Sequence, residues 1–175
     1  MHTCMHEVFG EMWNFNELKR KVIALFEDGE ELQPLPGYNT FADVCLPLEG
    51  EGVPKNVLPE ADFAARFNGT YLYVEVDTGG GVSHNLAKYF YVLDCLKSKP
   101  KRILVFHILG PEFLETPHNL EFNRKLASFL AEKIKDAFKD EFEFYYEQSE
   151  PFLNNEEALK WLSEKLCAYN IKKKV

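Results

Sequence analysis

The 175-residue chain is short of several things, and each shortage removes a class of function. It has four cysteines, Cys4, Cys45, Cys95 and Cys167, spread along the chain with no CxxC pair. That argues against a disulfide framework, and it is the usage expected of reduced thiols in a cytoplasmic protein. No apolar run approaches the roughly 18 residues of a membrane span, and the N-terminus lacks the apolar core of a signal peptide, so no membrane partner is expected. Positive charge is outnumbered, with 20 Lys and Arg against 28 Asp and Glu. The formal net charge is −8, which argues against passive, charge-driven binding to nucleic acid or to an anionic membrane. Internal repeats, low-complexity segments and linker-like stretches are missing, so residues 1–175 are expected to form a single domain.

What the chain has in plenty is aromatic residues, with 15 Phe and 8 Tyr, and acids, with 28 Asp and Glu. The aromatics favour a core that contains a sheet. The acids gather in one place. Residues 59–88 read PEADFAARFNGTYLYVEVDTGGGVSHNLAK, a strand, a tight turn, a strand, a glycine loop and the start of a helix. Asn68-Gly69 is a strong two-residue hairpin signal, because a type I′ turn wants φ > 0 at both central positions. With that turn, Phe67 pairs with Thr70, Asp62 falls opposite Glu75, and Glu60 falls opposite Asp77. Side chains alternate with period 2, so Glu60, Asp62, Glu75 and Asp77 point the same way. Like charges facing each other destabilise a sheet. A hard divalent cation would neutralise them, since such ions take carboxylate oxygens. Solvated strand-end charges are the plainer alternative.

Other elements follow from pattern. Asn14 or Asn16 can cap a helix to about Asp28, with Glu17 at its start favouring the helix dipole or facing the acids. Residues 29–40 read as a Pro- and Gly-rich loop, and Phe41–Leu48 as a strand that Pro47 ends. Asp43 within it is a further acid of unfixed register. In residues 71–77 Leu72, Val74 and Val76 form an apolar face, while Tyr71, Tyr73, Glu75 and Asp77 form a polar one. The glycines 79–81 are followed by no Lys-Ser/Thr, so they are not a Walker loop, and a dinucleotide fingerprint is equally poor. Ser83 caps a helix to about Ser98 whose core stripe is Leu86, Tyr89, Phe90, Leu93 and Leu96. Ile103–Leu109 is a continuous apolar run, expected of a strand buried on both faces, with His107 inside it as a hydrogen-bonded core histidine or a chemical group. Asn119 is expected to cap a helix to about Lys139, with Phe122, Leu126, Phe129, Leu130, Ile134 and Phe138 on its buried side. Residues 142–147 alternate like an outer strand. Asn154 or Asn155 caps a last helix with Ala158, Trp161, Leu162 and Leu166 inward. His2, Cys4 and His6 alternate and are soft-metal ligand types, but no fourth ligand with sensible spacing follows. The expected class is α/β, with a mixed sheet of antiparallel hairpin or meander followed by a parallel strand, flanked by helices.

Pro59-Glu60-Ala61-Asp62, a hairpin, Glu75-Val76-Asp77 and a following helix together resemble the PD-(D/E)xK nuclease superfamily. The resemblance implies a restriction-endonuclease-like core over about residues 16–109, with a C-terminal helix–strand–helix extension over 110–169. It implies that Asp62 and Glu75 match the motif's first and second acids and hold Mg²⁺ or Mn²⁺ at a scissile phosphate of DNA. The motif lysine, two residues after Glu75, is here Asp77. Glu75-Val76-Asp77-Thr78-Gly79 followed by Lys88 resembles a variant in which the lysine moves to the next helix, where Lys88 reaches sideways off the core stripe. His84 and Asn85 are alternative donors on the same segment. The catalytic set implied is thus Asp62, Glu75, Asp77 and Lys88, with Asp62, Glu75 and Asp77 on the metal. Basic segments at residues 19–21, 97–102 and 172–174 would contact phosphates. The other reading open to the sequence is a catalytically inactive relative used for binding or assembly, with a homodimer through the aromatic C-terminal elements as one arrangement. The acid at position 77 and the overall acidity favour it. A hydrolase built on Cys and His has no local motif to support it.

Overall fold

A computed structural model describes residues 20–21, 24, 29–31, 61–67, 69–77, 86–87, 89–90, 93, 100–115, 117–152 and 154–171. They form an α/β layer structure around one five-stranded sheet whose spatial order follows the chain. The strands are β1 (Gly29–Glu31), β2 (Phe63–Phe67), β3 (Thr70–Asp77), β4 (Arg102–Leu109) and β5 (Glu143–Pro151). β1–β2 and β2–β3 are antiparallel, and β3–β4 and β4–β5 are parallel. The hairpin register is the one the Asn-Gly turn dictates, running from Phe67 opposite Thr70 to Phe63 opposite Val74. Gly69 sits at φ +79, the left-handed conformation such a turn requires.

Gly29–Glu31 corrects the sequence expectation of a loop there. It is a short strand that extends the sheet beyond β2. The strand expected at residues 41–48 lies outside the described residues, as do Glu17, Asp43 and the His2, Cys4, His6 group. Of the four cysteines only Cys167 is described, as an exposed thiol.

The sheet is covered on both faces. On one, Leu72, Val74, Leu104, Phe106 and Ile108 pack against Ala158, Leu162 and Leu166 of helix α2 (Asn155–Ala168). The Asn154 side chain caps α2 by accepting from the Glu157 N–H at 3.0 Å, as expected of that residue type. At its other end Asn170 adopts φ 60, and Ile171 N–H reaches back to the Leu166 carbonyl, which closes the helix and buries Ile171 beside it. On the opposite face, Tyr71, Tyr73, Ile103, Val105 and Phe144 pack against Leu86, Tyr89 and Leu93 and against α1 (Pro117–Phe138). Leu86, Ala87, Tyr89, Phe90 and Leu93 are helical, as the stripe in that segment predicts, although Phe90 is exposed.

Two departures have physical causes. Tyr71 and Tyr73, expected on a polar face, are buried at 4% and 0% exposure, because a tyrosine ring is mostly apolar surface and a second helical layer covers it. In α1 the buried stripe is Asn123, Ala127, Ala131, Ile134 and Phe138, while Phe122 and Phe129 face solvent. The helix starts at Pro117, before the expected Asn119, where a proline's missing N–H is no loss. Its inward face is set by the small alanines, which let the helix sit close on the sheet. No helix among the described residues is long and apolar enough to cross a membrane.

Candidate functional site

The parallel strands β3, β4 and β5 end on the same side of the sheet, and the polar residues of its helix-covered face collect there. Continuing the β2–β3 register one residue places Asp62 opposite Glu75, and the Asp62 Oδ2 accepts the Val76 N–H at 2.7 Å. Glu75 pairs in register with His107 of β4, and His107 with Gln148 of β5. Since facing residues share a side of the sheet, Glu75, His107 and Gln148 form one row across three strands, with Asp62 just beyond the end of β2. The neighbouring row toward the strand starts, Ala64, Tyr73, Val105 and Tyr146, carries no charge.

Glu75 is 2% exposed. Burying a carboxylate is costly unless hydrogen bonds replace its water. Tyr89 supplies one, its hydroxyl donating to Glu75 Oε1 at 2.6 Å. Burial first, then the neighbouring Glu75 charge, hold the Tyr89 phenol well above its ordinary titration range, so it stays a donor. The Asp62 carboxylate also acts on this phenol, as the last of its charge neighbours. Tyr89 is itself packed against Tyr73, ring centroids 5.6 Å apart. Tyr89→Phe, which keeps the ring and deletes the hydroxyl, is expected to lower stability by about 1.5–3 kcal/mol, the range for a hydrogen bond to a charged group. Urea unfolding of the two proteins measures it, and a difference under about 0.5 kcal/mol would show the bond adds nothing.

Asp77, half-buried at the end of β3, lies two residues beyond Glu75 on the same face. Its carboxylate, after burial, raises the Tyr146 phenol above its ordinary range, and Arg124 opposes that. Tyr146 Oη lies 2.9 Å from His107 Nδ1, so His107 is a hydrogen-bonded buried histidine. Asp62, Glu75 and Asp77 thus lie at the same end of the β2–β3 hairpin, but among the described residues no three acids are gathered closely enough to hold one metal ion together. Lys88, His84, Asn85, Glu60 and the glycine loop at 79–81 lie outside the described residues. Of the basic segments, Arg20, Lys21, Lys101 and Arg102 are described, and Arg102 is committed to Glu143 at 3.2 Å and to the Tyr169 carbonyl at 2.7 Å.

Tyr89, Tyr146 and Gln148 escape a sequence reading. Tyr89 looks like one more core position, and Gln148 lies just past where the alternation of β5 stops. The only signal that could have found Gln148 is the parallel register with His107.

No family model matches this chain, and no curated protein or solved structure does either.

Proposed function

We propose that the chain is a Mg²⁺-dependent phosphodiesterase acting on DNA, with a restriction-endonuclease-like core and a site of the PD-(D/E)xK kind. The observation that carries this reading is that the Asp62 carboxylate sits at the end of the β2–β3 ladder, accepting the Val76 N–H beside Glu75, with Asp77 two residues on. Carboxylates facing across a ladder have Cβ atoms about 4.5–5.5 Å apart, a span one small cation can bridge. Among the described residues no group of three or more His, Cys, Asp or Glu side chains is placed to hold a metal ion, so Asp62, Glu75 and Asp77 do not form a three-ligand site. Mg²⁺ does not need one, since it is usually held by one or two carboxylates and completes its shell with water and substrate phosphate. The donor set fits that mode.

In this reading Asp62 and Glu75 hold the ion, and Asp77 assists through a bound water rather than as a third direct ligand. Bound Mg²⁺ supplies charge at the phosphoryl oxygen and a more acidic water. The chain's own residues fix the geometry. Val76 N–H anchors one Asp62 oxygen and the Tyr89 hydroxyl anchors one Glu75 oxygen, so neither carboxylate swings when substrate arrives. Lys88, or His84, is the group assigned to orient the attacking water or to stabilise charge developing on the phosphoryl group.

A second reading has an observation of its own. Both acids already serve the fold, one clipping the hairpin and the other satisfying a buried tyrosine. With Asp77 standing where a lysine is usual, these are also the marks of a nuclease-like binding or assembly module. Calorimetry with Mg²⁺ and Mn²⁺ on wild type and Asp62→Ala separates the two. Binding that Asp62→Ala removes supports the enzyme, and no heat at millimolar metal sinks it.

A further inference from the structure

The polar row does not stop at the acids, and its far end holds an anomaly. The Gln148 amide nitrogen is buried and has no hydrogen-bond partner among the described residues. A buried donor left without a partner is costly and uncommon in folded proteins. Gln148 also lines an open groove of about 340 Å³ between α1 and β5, together with Arg124, Ser128, Tyr146, Glu147 and Glu150. We propose that Gln148 is a substrate-contact residue, whose amide donates to a phosphate oxygen of the bound DNA strand beside the scissile one. The proposal rests on the phosphodiesterase reading and adds a subsite to it.

Position is the first support. Gln148 lies in register with His107, and His107 with Glu75, so two strand spacings, roughly 10 Å, separate it from Glu75, and Asp62 is farther still. That is far beyond the roughly 2 Å reach of a Mg²⁺ ligand. A group bound at Gln148 therefore belongs to the substrate and not to the metal.

The lining chemistry is the second support. Ser128 and Arg124 are further donors on the α1 wall, and Tyr146 joins the groove to the acid end of the face, where the Asp77 charge is felt. The two glutamates of the groove are already engaged. Glu147 takes Lys165 at 2.8 Å and the Tyr169 hydroxyl at 2.8 Å. Glu150 pairs with Arg124 at 2.6 Å, with side chains 75% and 36% exposed. An exposed pair of this sort adds little to stability, so a phosphate can take the place of Glu150 on the guanidinium at small cost. Arg124 also donates to the Ser149 carbonyl at 3.4 Å, which keeps it over β5 beside Gln148. A local donor set of this kind lets a chain of net charge −8 hold a phosphodiester without a general basic surface.

The test follows the Gln148 side-chain amide by ¹⁵N NMR, assigned by its disappearance in Gln148→Met. Short DNA oligonucleotide is added with Ca²⁺ present, a hard cation that takes the same oxygen ligands. The amide signal is expected to move on titration, and Gln148→Met is expected to weaken oligonucleotide binding about ten- to a hundredfold, as for loss of a hydrogen bond to a charged group. Its thermal midpoint should be unchanged or higher, since an unpartnered donor has been removed. Mn²⁺ affinity by calorimetry should match wild type. An unmoved signal with oligonucleotide bound and Mn²⁺ binding intact overturns the contact and leaves the phosphodiesterase reading standing. A moved signal with no metal binding overturns that reading and keeps the contact as a nucleic-acid site of a non-catalytic module. Movement with inorganic phosphate alone and none with oligonucleotide replaces the strand contact by a small-anion site. Silence in every arm overturns both.

Discussion

Under the proposed phosphodiesterase function, Glu75→Gln and Asp62→Asn are each expected to lower Mg²⁺-dependent DNA cleavage by on the order of a thousandfold or more while leaving a folded protein. A bound metal contributes several kcal/mol to transition-state stabilisation, and each 1.36 kcal/mol is a factor of ten in rate. The amides are close in shape to the acids they replace. A Gln carbonyl oxygen at position 75 can still accept from the Tyr89 hydroxyl, and an Asn carbonyl at position 62 can still accept from Val76 N–H. What each variant loses is the charge that a hard cation requires. Cleavage assays at saturating Mg²⁺, read beside thermal unfolding, make the comparison. If either variant cleaves within about tenfold of wild type while wild type is active, the proposed carboxylate pair is not the metal site.

Phe106→Ala is expected to be the most damaging single change to the fold, lowering stability by about 3–5 kcal/mol. Phe106 is fully buried in β4, the strand paired on both sides by parallel neighbours. Its ring meets Trp161 at 5.6 Å and Tyr169 at 6.0 Å, so its loss opens a cavity exactly where α2 docks on the sheet. Against a typical total of about 5–15 kcal/mol, a third or more of the stability would go. Urea titration gives the value. A change below about 1 kcal/mol would show that α2 closes over the gap without penalty. Because Phe106 lies on the face opposite the acids, activity per folded molecule should hold.

The parts of this structure legible in the sequence are those that local chemistry decides. Asn68-Gly69 fixes the hairpin register and, through it, the position of Asp62 at the Val76 end of β3. The unbroken run Ile103–Leu109 is apolar because both its faces are covered, and Asn154 is a capping residue placed to cap. What stayed hidden is decided by distant partners. Gly29–Glu31 has no β-favouring side chain, and its pairing comes from the open edge of β2. Phe122 and Phe129 are large apolar residues of α1 and still face out, because the face turned to the sheet is the one carrying Ala127, Ala131, Ile134 and Phe138. The row from Glu75 through His107 to Gln148 depends on parallel registers, and no tight turn sets those.

The same contrast governs the order in which the molecule can be built. The Glu75–Tyr89 contact closes a chain segment of 14 residues, and the His107–Tyr146 contact one of 39. Loop closure must precede the reward of a distant contact, so local pairs form early and parallel pairings late. During refolding, pulse-labelled hydrogen exchange is expected to protect the amides of β2 and β3 before those of β5, and the reverse order would refute it. The carboxylates would then be in place on a half-built sheet, and a chain emerging from the ribosome would carry its charge pair before it had the surface proposed to hold a substrate strand against it.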